Sequence, residues 1–170
     1  MKMSLCRIVR PYYPLFKRQN SSTTKSDFRD RSLYKYFVDF QTRWRDNDVY
    51  GHVNNAVYGE WIDSIVNKYL IEKCSLEPLK SPLIGFVVSS HCNYYSPVSY
   101  PSKIAAGLFV KRIGKSSVDY CVGIFDNCQS DKASAVGGFT HVFVDRINNR
   151  PQPFDDEMKK KLLSISHMNH

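Results

Sequence analysis

From Asn54 onward the apolar residues return every three or four positions: Tyr58, Trp61, Ile62, Ile65, Val66, Tyr69 and Leu70. Glu60, Asp63, Ser64, Asn67 and Lys68 fill much of the opposite side. This period predicts an amphipathic helix of about five turns with one face to bury. Asn54 or Asn55 suits its N-cap. Strand-like segments surround it: residues 37–44 before the helix, then 86–95, 103–113, 117–125 and 133–144 after it. In 117–125 the alternation is clear, with Val118, Tyr120, Val122 and Ile124 on one face. One strand, one long helix and four further strands predict an α+β chain. Short turns between the later strands make them antiparallel. The absence of repeated strand–helix pairs argues against a doubly wound fold. One helix cannot cover both faces of a five-stranded sheet, so the other face needs cover, which self-association would supply. Gly137 and Gly138 in the last strand mark a bulge or a close approach.

The chain has 170 residues, enough for one well-cored domain and tight for two. Its net charge of +8 raises the question of an anionic partner. However, Lys2, Arg7, Arg10, Lys17, Arg18 and Lys25 all precede the first acid, Asp27, so the body is only mildly basic. No Lys/Arg stripe interleaved with aromatics and no zinc-finger spacing is present, so nucleic acid is not an expected partner. The cysteines, Cys6, Cys74, Cys92, Cys121 and Cys128, are odd in number and form no CxxC. Free thiols in a reducing compartment are expected, and no metal site. No apolar run reaches the roughly 18 residues of a membrane span, so no transmembrane segment is expected. Residues 1–30 are basic, hydroxylated and poor in acids. That composition matches a mitochondrial transit segment or, alternatively, a basic tail with no targeting role. The expected location is the mitochondrial matrix, with the cytoplasm as the alternative. After Pro151 and Pro153, residues 154–170 form a charged tail with a short helix.

Chemistry is concentrated where the first strand gives way to the helix. Thr42-Arg43-Trp44-Arg45-Asp46-Asn47-Asp48-Val49-Tyr50-Gly51-His52-Val53-Asn54-Asn55 packs acids, a glycine, a histidine and asparagines into one joint. Loops held by a rigid scaffold carry sites. Asp48 could serve as a carboxylate catalyst or could cap a turn through its own backbone. Asp46, if the segment is extended, faces the same side as Asp48; its alternative is to pair with Arg43 or Arg45, which the sequence favours. Gly51 lets the backbone turn tightly. His52 could orient water or simply pack at the mouth of a pocket.

Arg43, Asp46, Asp48, Gly51, His52, Asn54 and Asn55, followed by Tyr58, Glu60 and Asp63, resemble the acyl-CoA thioesterases of the hotdog fold. The branch they resemble most is the 4-hydroxybenzoyl-CoA thioesterase-like one. Cys92-Asn93-Tyr94-Tyr95-Ser96-Pro97 resembles the family strand ending in a Tyr-x-x-Pro turn. Arg112 to Val118 resembles its next hairpin, and His141-Val142-Phe143-Val144-Asp145 its final strand. The resemblance implies a single hotdog domain over 31–153, a long helix wrapped by a curved antiparallel sheet of about five strands. It implies dimers or tetramers. It also implies hydrolysis of an acyl-CoA to free acid and coenzyme A without cofactor or metal. Asp48 matches the family's catalytic carboxylate, acting as nucleophile or general base. Asn55 matches the position whose backbone N–H polarises the thioester carbonyl at the helix N-terminus. Gly51 and His52 complete the catalytic loop, and Glu60 is the reserve carboxylate. Lys111, Arg112 and Lys115 cluster at one turn, with Ser116 and Ser117 as hydrogen-bond donors, and could hold the phosphates of coenzyme A; Lys115 and Ser116 resemble a segment that contacts the nucleotide, and a solvated positive turn is the alternative. Tyr58, Tyr94 and Tyr95 line an acyl pocket or fill the core. Competing functions are an acyl-carrier-protein thioesterase, a dehydratase or hydratase of the same fold, and a non-catalytic acyl-CoA-binding protein.

Overall fold

A computed structural model describes residues 27–127 and 130–167. Cys6, Cys128 and most of the expected transit segment lie outside the described residues. The elements are β1 (Tyr36–Gln41), α1 (Asn55–Cys74), β2 (Leu83–Tyr94), β3 (Lys103–Ile113), β4 (Ser117–Asp126), β5 (Ala135–Asp145) and α2 (Asp156–Ser164). They follow the expected order. The strands form one sheet in the order β1-β3-β4-β5-β2, with every neighbour antiparallel. The edges are therefore β1 and β2, the two strands that flank α1 in the sequence. Among the described residues no helix is long and apolar enough to cross a membrane.

The period that announced α1 is the face it buries. Trp61, Ile62, Ile65, Val66, Tyr69 and Leu70 pack on Leu108 and Val110 of β3, Val122 and Ile124 of β4, and Phe139 and Phe143 of β5. Asn54 is the N-cap: its side chain accepts from the Ala56 N–H at 3.0 Å. The helix ends on Ser75 in the left-handed region, φ 55°. The C-terminal segment is no loose tail: Phe154, Met158, Leu162 and Ile165 join the same core. Tyr69 donates to the Lys161 carbonyl at 2.7 Å, tying α2 to α1.

The second face of the sheet is covered in part by the chain itself. Tyr34, Phe109, Cys121, Phe125, Ala133 and Val136 form a second buried cluster, against which Phe28 and Leu33 pack. The Tyr34 ring stands edge-on to Phe109 and Phe125 at 5.2 and 5.3 Å, and its hydroxyl donates to the Phe28 carbonyl at 2.6 Å. Residues 27–30, on the basic-segment side of the expected boundary, thus belong to the packed body. Asp30 bridges Lys132, and the Arg29 carbonyl accepts from the Ala133 N–H at 2.8 Å. Gly138 is the close approach anticipated in β5: a Cβ there would lie 2.0 Å from the Tyr120 carbonyl oxygen. The register shifts fall elsewhere, between Val87 and Ser89 and between Val110 and Arg112.

Candidate active site

The loop from β1 to α1 is pinned at several points. Thr42 is buried; its hydroxyl donates to the Ser102 carbonyl at 2.9 Å and accepts from the Ser102 N–H at 2.8 Å. Trp44–Asp46 then forms a 3₁₀ turn, where extended strand was expected. That turn separates the two aspartates. Asp46 is only 2% exposed and accepts from the Arg43 N–H at 2.7 Å and from Arg43 Nε at 2.9 Å. Its carbonyl accepts from the Asn54 N–H at 2.8 Å, closing the loop onto the helix start. Asp46 is thus a structural tie, paired with Arg43. The same guanidinium reaches Glu60 at 3.0 Å, where Glu60 is exposed and lies outside the cleft described next.

Asp48 sits two residues on and is half-buried. Its Oδ1 accepts from the N–H groups of Tyr50 at 2.8 Å and His52 at 3.4 Å. Its own N–H donates to the His52 carbonyl at 2.8 Å, and its carbonyl accepts from the Gly51 N–H at 3.1 Å. Gly51 has φ +80°, where other residues are strained, so the turn depends on it. Oδ2 of Asp48 accepts no hydrogen bond among the described residues. Asp48 therefore caps its turn with one oxygen, as the structural alternative expects, and its other oxygen has no hydrogen-bond partner among the described residues.

Asp48, His52, Val53 and Asn55 line a cleft of about 520 Å³, closed on the other side by Tyr58 and by Tyr94 to Pro97. Asn55 is the first residue of α1, and its N–H has no acceptor among the described residues. The Asn54 side chain engages the next amide instead, so the Asn55 N–H remains available at the positive end of the helix. Tyr94 Oη donates to the Asn55 carbonyl at 3.3 Å, and the Tyr58 and Tyr94 rings meet edge-on at 5.1 Å. Burial pushes both phenols up to about 12, so they are neutral donors at ordinary pH. Two further loop anchors had no chemical signature in the sequence: Asn47 accepts from the Tyr100 N–H at 3.1 Å, and Ser99 donates to the Gly51 carbonyl at 2.9 Å. Among the described residues, no three His, Cys, Asp or Glu side chains group as metal ligands would.

The basic turn is not brought to this cleft within one chain. Lys103 of β3 pairs with Gln41 at the cleft end, while Ile113 pairs with Val118 at the other end. The 11 residues of β3 span about 33 Å, and Lys111, Arg112, Lys115, Ser116 and Ser117 lie at its far end. Arg112 is engaged with Asp119 at 2.7 Å and Lys111 stands over the Phe28 ring at 5.1 Å.

The profile of the thioesterase-like superfamily matches residues 42–162, which contain the loop, α1 and all the later strands. The chain belongs to the thioesterase-like superfamily. Its α+β arrangement is the hotdog fold. The PA5185 protein from Pseudomonas aeruginosa strain PAO1 is 42% identical, with 83% of this chain and 98% of that chain covered and a TM-score of 0.78. The PA2801 protein from the same species is 25% identical over 75% of this chain and 96% of its own, TM-score 0.67. A thioesterase from Thermus thermophilus, solved with coenzyme A and Zn, shares the fold at 21% identity, covering 76% of this chain and 98% of that one, TM-score 0.63. Among curated proteins no match is found. Membership supports thioester hydrolysis as the general activity.

Proposed function

We propose that the protein hydrolyses an acyl-CoA to a free carboxylic acid and coenzyme A. One observation carries this: Asp48 and Asn55 line the same cleft, and a carboxylate oxygen of the one and the N–H of the other have no hydrogen-bond partner among the described residues. A thioester bound there presents its carbonyl oxygen to the Asn55 N–H, which stabilises the negative charge that develops during attack. Asp48 either attacks the carbonyl carbon directly, expelling the coenzyme A thiolate and forming an acyl–aspartyl anhydride that water then hydrolyses to the free acid and the regenerated carboxylate, or takes a proton from an attacking water. In the water route the carbon–sulfur bond breaks, the carboxylic acid forms, and the thiolate of coenzyme A leaves and is protonated. His52 lines the cleft beside this path.

Asp48→Asn and Asp48→Ala separate catalysis from folding. Asn retains an oxygen for the Tyr50 and His52 amides, so D48N is expected to keep the turn. Both variants should fold and lose most hydrolysis of a medium- or long-chain acyl-CoA. Unchanged turnover in both would remove the mechanism. Binding without turnover by the unmutated chain would point to a non-catalytic acyl-CoA binder. Preference for acyl-carrier-protein over coenzyme A in substrate competition would point to a carrier-protein thioesterase.

A two-fold pairing of β2 edges accounts for the remote basic turn. β2 is an edge strand whose Phe86, Val87 and Val88 are 45–59% exposed, an arrangement prone to pairing. Antiparallel β2–β2 pairing sets the Leu83 end of one copy beside the Tyr94 end of the other. Lys115, Ser116 and Ser117 of a second copy then lie at the same end as this cleft, where coenzyme A phosphates would be held. Sedimentation of the protein as a monomer at micromolar concentration would exclude this arrangement.

A further inference from the structure

A second cleft, of about 400 Å³, runs between α1, β2 and β5 and shares Asn55 and Tyr94 with the catalytic cleft. Its sides are Gly59 and Ile62 from α1, Val87 and Cys92 from β2, and Phe139 from β5. Tyr94, bonded to the Asn55 carbonyl, stands where the two clefts meet. The cleft therefore adjoins the residue whose amide is assigned to the thioester carbonyl, and beside its apolar walls it carries the polar side chains of Asp63, Ser90 and His91.

Gly59 is the residue in this cleft that local structure does not explain. Glycine is among the poorest residues for a helix interior. Gly138 on the opposite wall has to be glycine, because a Cβ would strike the Tyr120 carbonyl. Gly59 has no such need: its backbone is helical, and a Cβ there meets no atom within 4 Å. The helix thus carries a poor helix former at an exposed position that borders the cleft. We propose that the space belongs to the acyl chain of the substrate, and that Gly59 sets how long a chain the enzyme accepts. From Asn55 to Ile62 the helix rises about 10 Å. An extended aliphatic chain leaving the carbonyl at Asn55 crosses Gly59 before it reaches Ile62, so any side chain at 59 narrows the path midway.

This inference rests on the thioesterase proposal, and its test separates the two. Non-hydrolysable thioethers (butyl-, octyl- and dodecyl-CoA) are titrated calorimetrically into the full chain, Gly59→Ala and Gly59→Leu. Turnover of the matching acyl-CoA esters is measured on the same samples. G59L should leave butyl-CoA within about twofold and weaken octyl- and dodecyl-CoA roughly fifteenfold, the loss of about two buried methylenes. G59A should melt at a higher temperature than the unmutated chain, through helix propensity, and hold long chains better than G59L does. If G59L does not fold, Val87→Trp narrows the same cleft from the facing strand and should give the same length-selective loss. Equal weakening at every length, or at none, overturns the proposal. So does a change in sedimenting mass with no length dependence, which would assign Gly59 to contact with α1 of a second copy. Length-dependent thioether binding without turnover of any ester keeps the cleft and removes the hydrolysis; turnover with no length dependence in either assay does the reverse.

Discussion

Asn55→Pro tests the electrophilic half of the site by deleting one backbone hydrogen. The structure makes that deletion unusually clean. Asn55 is the first helical residue, the position where proline is best tolerated in a helix. Asn54, which would precede the proline, already has φ −60° and ψ 139°, the extended conformation that a following proline imposes. Its side chain caps Ala56 and not Asn55, so no capping bond is lost. Tyr94 donates to the Asn55 carbonyl, which proline retains. Stability should therefore change by less than about 1 kcal/mol. Loss of an oxyanion donor should lower kcat by about 10²–10³, or roughly 3 kcal/mol of transition-state stabilisation. Asn55→Ala keeps the N–H and removes only an exposed side chain, so its kcat should stay within about threefold. Steady-state kinetics on one acyl-CoA, with urea melts of each variant, give both quantities. Two results would refute the reasoning: N55P that folds and keeps its kcat, or N55A that falls as far as N55P.

Asp46 and Glu60 hold different nitrogens of the same guanidinium but differ in burial, and their replacement should show it. Asp46→Ala leaves the Arg43 N–H unpaired in the loop base and should cost about 2–3 kcal/mol in urea unfolding. Glu60→Ala removes an exposed ion pair and should cost under about 1 kcal/mol; equal losses would contradict the assignment of Asp46 as the tie. His141 is 4% exposed, and burial lowers its pKa to about 4 from 6.5. Between those values the unfolded chain binds a proton that the folded one does not. The stability held by the neutral ring is therefore complete above pH 6.5 and is lost as pH falls toward 4, amounting to about 2–3 kcal/mol by pH 4.5. His141→Phe, set among Tyr120, Phe139 and Phe143, should lose correspondingly less between pH 7 and 4.5; an identical loss would show that other groups carry the acid sensitivity.

The parts of the fold that could be read from the chain are those set by neighbours in sequence. The α1 period is local, because residues three and four apart share a face whatever they pack against. The strand order is not local. β1 and β2 look like any other strands, yet only pairing across the sheet makes them edges. Phe28, Leu33 and Tyr34 show no period at all, since they form a strap that follows the sheet surface and not a repeating element. Their apolar character becomes legible only against Phe109 and Phe125.

The catalytic loop shows the same limit at the scale of two residues. Asp46 and Asp48 are chemically identical, and in an extended segment they would share a face. The 3₁₀ turn at Trp44–Asp46 rotates Asp46 into the loop base, where Arg43 and the Asn54 amide consume it. Asp48 falls just past that turn, with one oxygen held by backbone amides and one left for the cleft. The buried aspartate thus fixes the loop that carries the other, and Asp48 and Asn55 line one cleft as the consequence. Anchors at Thr42–Ser102, Asn47–Tyr100 and Val53–Val98 tie this loop to the chain on either side of the turn before β3. The loop is thus held in place by the protein itself, which is what the proposed electrostatic stabilisation of a developing oxyanion requires. The basic turn at Lys115 follows the opposite logic. Its chemistry is plain, but an antiparallel strand carries it to the far end of the sheet, and the proposed pairing of β2 edges is what would return it to the cleft.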